Sequence, residues 1–343
     1  MVPIDPEFTV IVVTHNSGSY LARCLDALEN QTFREFEILI IDNNSTDGSL
    51  DLLSTDCSSC RLIRAIGNLG FAAANNLAAR EGRGRWLVLL NPDAFAEPDW
   101  LSEIIAAIKR YPGAVMFGST QIRASEPGVL DGAGDHYHPL GLAWRGGEGE
   151  AVECVDQDAE VFGPCGAAAV YERTAFLRHG GFDERLFCYY EDVDLALRMR
   201  LAGEVCIQLA GAKVRHVGSG STGAGSDFIR YHISRNRLWV FIRGMPGPLF
   251  FVLLPALVAG VIARLAVSVF TGDFELRVRA LRDALSVMPQ IWLERRNLQN
   301  HREIAVMAFA RALTWSVGKL ILRARDPRPI SPIALSNRDT SNV

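Results

Sequence analysis

The sequence lacks the signatures of several large protein classes. It does not begin with a charged stretch followed by an apolar one, so we expect no secretory signal peptide. No G-x-G-x-x-G follows the first apolar run and no G-x-x-x-x-G-K-S/T occurs, which disfavours a dinucleotide-binding dehydrogenase and a P-loop nucleotidase. Internal repeats are also absent. The 343 residues are enough for one large α/β domain with an appendage.

A zinc-binding set of two cysteine pairs is also lacking. The seven cysteines are scattered, and Cys57-x-x-Cys60 is not accompanied by a second pair at zinc-binding spacing. An odd number of cysteines without a signal peptide favours a reduced, cytoplasmic protein. A metal or redox role for Cys57 and Cys60 is the alternative.

Charge is distributed unevenly along the chain. Residues 1–225 carry 18 Lys and Arg against 31 Asp and Glu, a net charge of −13, whereas residues 226–325 carry 15 against 6, a net charge of +9. The acidic part argues against a nucleic-acid partner. The basic part is rich in Leu, Val, Phe and Trp, which suits an anionic membrane surface. We therefore expect peripheral or monotopic attachment to the cytoplasmic side of the inner (plasma) membrane. Packing of the same helices on the rest of the protein is the alternative.

Short apolar runs alternate with helical patterns over residues 1–120. Such an alternation predicts an α/β domain with a mostly parallel sheet covered on both faces. In such sheets, ligands bind beyond the carboxyl ends of the strands. Polar clusters at 14–16, 42–44 and 91–93 stand at three such ends and predict one binding crevice. The predicted strands are 8–14, 37–42, 61–65, 86–91 and 114–117.

The second half of the chain has a different pattern. Its almost wholly apolar run is interrupted by Pro255 and followed by Arg264, so it falls short of a clean membrane span. The polar tail is expected to be disordered. The predicted segments are loops with short strands over 124–160, a helix over 191–201, the apolar run over 248–263, amphipathic helices over 273–297 and 301–325, and the tail from 326.

Five motifs stand in a recognisable order. They are residues 11–17 (IVVTHNS), 41–48 (IDNNSTDG), 68–72 (NLGFA), 90–94 (LNPDA) and 191–195 (EDVDL). This set resembles the inverting family-2 glycosyltransferases, most of all their rhamnosyltransferase branch, over residues 8–240. The resemblance implies a Rossmann-like GT-A domain followed by C-terminal amphipathic and apolar helices. The expected divisions are a catalytic domain at 1–240 with a nucleotide-binding half at 1–120 and an acceptor half at 121–240, membrane-associated helices at 241–325, and a disordered tail at 326–343.

The resemblance implies a nucleotide-sugar site at the strand ends. Asp42 would accept the N3–H of a uracil or thymine ring. Thr14, Asn16, Asn68 and Gly70 would lie around the nucleoside. Asp42 could instead cap the turn that follows it, and Asn68 and Gly70 could form an ordinary strand-to-helix turn.

A divalent metal, Mg²⁺ or Mn²⁺, is also implied, because it would offset the charge of the departing diphosphate. Members of the family usually have Asp-x-Asp at this strand end, whereas this chain has Asn91-Pro92-Asp93. Asp93 would therefore hold the metal with help from His216, and Asn91 would contact the ribose. His216 precedes a Gly- and Ser-rich stretch at 217–222 suited to binding phosphate. An ordinary Asn-Pro-Asp turn and a structural histidine are the alternatives.

Two acidic residues at the start of the predicted helix would act on the acceptor. The resemblance implies Asp192 as the general base for its hydroxyl, with Glu191 beside it as the second catalytic residue. Glu191, like Asp194, could instead only interact with the helix dipole. Arg235 resembles a family position that could clamp the diphosphate, or it could simply belong to a basic helix.

The expected reaction is transfer of a sugar, with inversion, to a hydroxyl of a cell-envelope glycan or polyprenyl-linked acceptor. The donor would be a dTDP- or UDP-sugar, with rhamnose from dTDP-rhamnose expected by resemblance. A sugar-phosphate nucleotidyltransferase is one alternative, but residues 15–19 lack the Arg and Lys of its phosphate loop. A non-catalytic membrane scaffold that retains the fold is the other.

Overall fold

The computed structural model describes residues 6–51, 60–218 and 225–337. Its strands are β1 (Phe8–Thr14), β2 (Phe36–Asp42), β3 (Cys60–Arg64), β4 (Trp86–Leu89), β5 (Ala94–Ala96), β6 (Met116–Arg123), β7 (Leu130–Ala133), β8 (Asp135–Tyr137), β9 (Ala143–Arg145), β10 (Ala159–Val161), β11 (Ala169–Glu172) and β12 (Cys206–His216). Its helices are α1 (Tyr20–Glu29), α2 (Gly70–Glu81), α3 (Trp100–Arg110), α4 (Arg173–Arg178), α5 (Glu191–Leu201), α6 (Asp227–Gly244), α7 (Gly247–Thr271), α8 (Phe274–Ser286), α9 (Met288–Asn300), α10 (Val306–Arg311), α11 (Val317–Leu322) and α12 (Pro332–Leu335).

The main sheet has the strand order β10-β12-β6-β11-β4-β1-β2-β3, with β5 and β7 added beside β12 and β6. The core strands β4, β1, β2 and β3 are parallel, as expected. Thr14 pairs with Asp42 in the β1–β2 register, so these two polar strand ends lie side by side. The strand predicted at 114–117 becomes β6, which is separated from β4 by the antiparallel β11.

Alternate residues of the central strands pack on opposite faces, as the pleat requires. Ile11, Leu39 and Leu87 belong to a core that includes the alanines of α2. Val10 and Val88 belong to a second core that includes the apolar residues of α1 and α3. The expected α/β sheet covered on both faces is therefore confirmed.

The C-terminal helices do not begin a separate unit at residue 241. The helix α6 runs without a break through that position and is covered by α8 and α9. Trp239 Nε1 donates to the Ala284 carbonyl at 3.0 Å, and Arg295 Nη1 donates to the Met245 carbonyl at 2.6 Å. Much of this region thus packs on the catalytic domain, since the apolar face of α6 needs a partner.

The helix α7 is longer than the apolar run that predicted it. It continues through Pro255 and Arg264, and by length and composition it could cross a membrane. Only 11% of its most apolar window is buried. Because a proline removes one backbone donor, a single one can be accommodated within a long helix.

The C-terminal segment is ordered over 326–337, against the expectation of a disordered tail. Arg328 forms an antiparallel bridge with Glu160 of the edge strand β10. Ala334 is fully buried, and its carbonyl accepts the Gly113 N–H at 3.0 Å. The backbone of an edge strand can form hydrogen bonds with another segment whatever the side chains of that segment are. The polar composition of the tail therefore did not predict that residues 326–337 are ordered. Residues 338–343 lie outside the described part.

Cysteine pairing also differs from the expectation. Cys60 is disulfide-bonded. The other residue of the Cys57-x-x-Cys60 motif, Cys57, lies outside the described part. Cys24, Cys154, Cys165, Cys188 and Cys206 are free thiols.

Candidate active site

The loops that follow β1 and β2 are joined by hydrogen bonds. The Asn16 N–H donates to Ser45 Oγ at 3.0 Å, and Asn16 Oδ1 accepts the Thr46 N–H at 2.8 Å. Thr14 Oγ1 contacts Ser17 Oγ at 2.6 Å within the first loop. The two loops therefore form one wall at the strand ends. Some of the hydrogen-bonding atoms of Thr14 and Asn16 are used within that wall.

Asp42 is buried at the end of β2. Its Oδ1 accepts the Ser45 N–H at 3.0 Å, so the turn-capping alternative is observed. A carboxylate has two oxygens, each able to accept hydrogen bonds. Capping by Oδ1 is thus compatible with recognition of a ring N–H by Oδ2.

Asn68 and Gly70 form the turn that opens α2. Asn68 Oδ1 accepts the Gly70 N–H at 2.9 Å, and the Gly70 carbonyl accepts from Asn43 Nδ2 at 3.1 Å. Gly70 has φ +80°, and a Cβ there would lie 2.6 Å from the Phe187 ring. Glycine is required because the chain is left-handed at this point and residue 187 packs against it.

Asp93 and His216 meet beyond the end of β4. His216 Nε2 lies 3.4 Å from Asp93 Oδ1, and His216 Nδ1 lies 2.8 Å from Asp131 Oδ2. Arg145 forms an ion pair with Asp131. Burial disfavours the charged imidazole, but the hydrogen bond to Asp131 and the nearby Asp93 outweigh it and raise the pKa of His216 to about 8.

These two side chains fit a divalent metal. Among the described residues, His216 Nε2 is buried without a hydrogen-bond partner. Two adjacent ligands of an octahedral ion with bonds of about 2.1 Å lie about 3 Å apart, close to the separation of Nε2 and Asp93 Oδ1. Asp131 orients the imidazole from the other side, as outer carboxylates do for metal-binding histidines. Residues 219–222 of the predicted phosphate loop lie outside the described part.

Asp192 lies at the start of α5, and its carboxylate is held by backbone donors. Its Oδ2 accepts the Gly166 N–H at 2.8 Å, and its Oδ1 accepts the Val193 N–H at 2.8 Å. Desolvation raises the pKa of Asp192, although these N–H groups oppose the rise. The side chain remains partly exposed, so it can reach a ligand.

Asp192 is connected to the strand-end crevice through the turn at 166–168. The partly exposed Asn91 donates its backbone N–H to the Ala167 carbonyl at 2.9 Å. A Cβ on Gly166 would lie 3.2 Å from Asp192 Oδ2 and 3.4 Å from the Phe71 ring. The candidate base, the end of β4 and the start of α2 therefore meet at one edge of the sheet.

Other acidic groups near Asp192 are more deeply buried. Burial raises the pKa of Glu191 well above its ordinary value, and the adjacent Asp192 adds to the rise. Burial likewise raises the pKa values of Asp135 and Cys165, whose ligand atoms lie within 4.8 Å of one another and of Asp192. The pKa of Asp192 is raised less far than that of Glu191, because the Gly166 and Val193 N–H groups stabilise its carboxylate, which favours Asp192 over Glu191 as a base.

Several residues of this site could not be predicted from a motif or a periodic pattern in the sequence. Asp131, Asp135 and Arg145 come from β7, β8 and β9, within a stretch that lacks any period. Arg235 does have a signal, but its guanidinium donates to the carbonyls of Arg185 at 2.9 Å and Leu186 at 3.1 Å. These bonds support the loop before α5, and a contact between Arg235 and diphosphate stays a prediction.

A central sheet of mostly parallel strands, a polar crevice at the strand ends, a carboxylate–imidazole pair and a separate, partly exposed carboxylate are typical of a GT-A type of transferase. Residues 9–178 match the family model Glycosyl transferase family 2. An N-acetylglucosaminyl-diphospho-decaprenol L-rhamnosyltransferase of Mycobacterium tuberculosis is 30% identical over 237 residues, which are 62% of this chain and 77% of that protein. The chain belongs to the family 2 glycosyltransferases, as its motifs predict.

Solved structures have the same fold. S. aureus TarS 1-349 in complex with UDP-GlcNAc superposes with a TM-score of 0.56 at 16% identity, covering 90% of this chain and 93% of that one. GalNAc-T7 with UDP, GalNAc and Mn2+ superposes with a TM-score of 0.56 at 17% identity, covering 71% and 48%. At these identities the likeness concerns the fold alone.

Proposed function

We propose that this glycosyltransferase transfers rhamnose from dTDP-rhamnose to a hydroxyl of a polyprenyl-linked glycan, with inversion. The observation that carries the proposal is the partly exposed Asp192 carboxylate, held by two backbone N–H groups at the crevice that also contains Asp93 and His216. The name of the mycobacterial relative supports both the sugar and the lipid-linked acceptor. A UDP-sugar is the alternative donor, since one structural neighbour was solved with UDP-GlcNAc.

Donor binding would use the strand-end residues. Asp42 Oδ2 would accept the N3–H of the pyrimidine, between the wall formed by Thr14 and Asn16 and the turn at Asn68 and Gly70. Asn91 would contact the ribose. Mg²⁺ or Mn²⁺, held by Asp93 and His216, would stabilise the charge that develops on the diphosphate. Structural neighbours containing Mn2+ support a metal of this kind.

Asp192 would act on the acceptor. As the acceptor oxygen bonds to the anomeric carbon, its proton passes to Asp192, and the bond from that carbon to the diphosphate oxygen breaks with its electrons leaving on the diphosphate. One displacement without a covalent enzyme intermediate inverts the anomeric centre. Glu191, which is buried, would support the helix start.

The C-terminal helices would bring the enzyme to its lipid-linked acceptor. Phe251, Val252 and Phe270 of α7 are 67%, 75% and 91% exposed, which is unusual for large apolar side chains of a water-soluble surface. Attachment would be to the cytoplasmic face of the plasma membrane, where nucleotide sugars are available. An exposed apolar helix of this length supports insertion more strongly than packing on the catalytic domain.

A transfer assay tests the proposal. Purified full-length protein is incubated in detergent with a polyprenyl-diphosphate-linked GlcNAc acceptor and, in turn, dTDP-rhamnose, UDP-GlcNAc and GDP-mannose, with Mn²⁺, Mg²⁺ or chelator. We expect a product heavier by one deoxyhexose, only from dTDP-rhamnose and only with metal, with the inverted anomeric configuration by NMR. Transfer from another donor would reject rhamnose, and full activity in excess chelator would reject the metal. No transfer from any donor would contradict the proposed reaction.

A further inference from the structure

The segment before α5 has an unusual backbone. Phe187, Tyr189 and Tyr190 have φ values of 66°, 68° and 74°, in the left-handed region that residues with side chains rarely adopt. Such a conformation persists only where surrounding contacts hold it. Tyr190 directly precedes Glu191 and Asp192. Whatever holds this segment therefore determines where the Asp192 carboxylate lies.

Asn236 of α6 is the residue that reaches most of this segment. It is fully buried, and its Nδ2 lies 3.0 Å from the Leu186 carbonyl, 3.1 Å from the Cys188 carbonyl and 2.7 Å from the Tyr189 carbonyl. The left-handed residues thus direct three carbonyl oxygens toward one nitrogen. Because an amide nitrogen has two hydrogens, three acceptors share them.

Other donors complete the support and orient the amide. Arg235 Nη2 donates to the carbonyls of residues 185 and 186, and the Ala72 N–H donates to the Phe187 carbonyl at 3.1 Å. Arg235 Nε donates to Asn236 Oδ1 at 2.9 Å. Since Oδ1 accepts from a guanidinium, Nδ2 is the atom that faces the carbonyls. Every carbonyl from 185 to 189 accepts a hydrogen bond.

We infer that Asn236 is a positioning residue for Asp192. It holds the carbonyls of residues 186, 188 and 189 so that the first turn of α5 presents the Asp192 carboxylate to the acceptor hydroxyl. The inference rests on the proposed role of Asp192 as the base. It also connects the site to the helix that leads into α7, because Asn236 lies near the middle of α6.

Asn236→Asp tests this role. The side chain keeps its shape, but an oxygen replaces the NH₂ group and faces three carbonyl oxygens. The matched control is Gln31→Glu, because Gln31 is also fully buried and its amide makes three hydrogen bonds to backbone groups, at Ala27, Glu97 and Leu101. For each variant, kcat, donor Kd, Tm and hydrogen exchange of the peptide at 187–195 are measured. Asn236→Ser, which keeps one donor, serves if Asn236→Asp does not fold.

We expect Asn236→Asp to lower kcat roughly ten- to a hundredfold, the effect of misplacing a catalytic group by about 1 Å. Donor Kd should change less than kcat, because the three carbonyls that Asn236 holds lead to Asp192, whereas the segment meets the donor side only where Phe187 packs on Gly70 and where Arg235 contacts Asn236. Hydrogen exchange at 187–195 should accelerate, whereas Gln31→Glu should lower Tm without changing kcat or that exchange. A purely structural Asn236 would give unchanged kcat, or equal losses in both variants, and would overturn the inference. Hydrogen exchange does not depend on turnover, so it tests the support even if the wild type transfers no sugar.

Discussion

The central strands and the helix α7 use apolar side chains in opposite ways. Ile11, Leu39 and Leu87 are at most 1% exposed, whereas Phe270 of α7 is 91% exposed. Both stretches consist almost wholly of apolar residues. The strands lie between layers of helices, while α7 contacts the protein along one side only. Apolar composition thus predicts removal from water, but the neighbouring elements decide whether the protein itself provides it.

Charge differs between the two regions as well. At the strand ends, Asp93 and His216 are buried close to each other at a site suited to ligands. In the helices, much of the basic excess is used internally: Arg243 pairs with Asp183 and Asp194, and Arg295 donates to backbone carbonyls. The net charge of +9 therefore overstates the positive charge available to a membrane.

The largest effect is expected at the strand ends, from Asp93→Ala. Transfer should be abolished, together with the enhancement of nucleotide binding by Mn²⁺, because Asp93 is the carboxylate ligand of the proposed metal. Initial rates and calorimetric titrations with and without metal measure both. Asp26→Ala, an exposed carboxylate on α1, is the control and should behave as wild type. Metal-enhanced binding that survives in Asp93→Ala would show that another residue holds the ion.

Asp192→Asn should lower kcat by a factor on the order of a hundred to ten thousand, the usual contribution of a positioned base. Donor affinity should barely change, because the nucleotide residues are separate. Glu191→Gln is the neighbouring control, and it should cost less because Glu191 is buried and burial raises its pKa well above the ordinary value. An inactive Glu191→Gln with an active Asp192→Asn would reverse the assignment, and two active variants would reject a carboxylate base.

The variants Phe251→Ser and Phe270→Ser test whether the exposed apolar residues of α7 bind a membrane. Partition into vesicles should fall roughly ten- to a hundredfold per residue, since burying a Phe side chain contributes about 1.5–3 kcal/mol. Vesicle sedimentation measures this, with Ile66→Ser and Leu177→Ser, exposed apolar residues of the catalytic domain, as the control pair. Binding should depend only weakly on salt, because apolar side chains of α7 make the contact and arginines such as Arg243 and Arg295 are engaged within the protein. Loss of binding in high salt would instead favour electrostatic attachment.

The smallest expected effect is a shift of the acidic limb of the pH profile. The base must be ionised, and burial raises the pKa of Asp192, so kcat should fall with decreasing pH at values above those of an ordinary aspartate. Rates measured at saturating donor and Mn²⁺ give the limb. The residual activity of Asp192→Asn should lack it. A limb that persists in that variant belongs to another group.

The sequence by itself determined the parallel core and the order of its polar strand ends, and its resemblance to the family identified Asp42, Asp93 and Asp192 as candidates. The strands and their polar ends are local features, because apolar runs of strand length and the polar residues after them need no distant partner to be recognised. Only the tertiary structure decided that Asp131 and Arg145 contact His216, and that Arg235 and Asn236 form hydrogen bonds to the loop before α5. The same is true of the ordered segment at 326–337 and the continuity of α6. Each depends on contacts between residues dozens of positions apart, which the pattern along the chain does not encode.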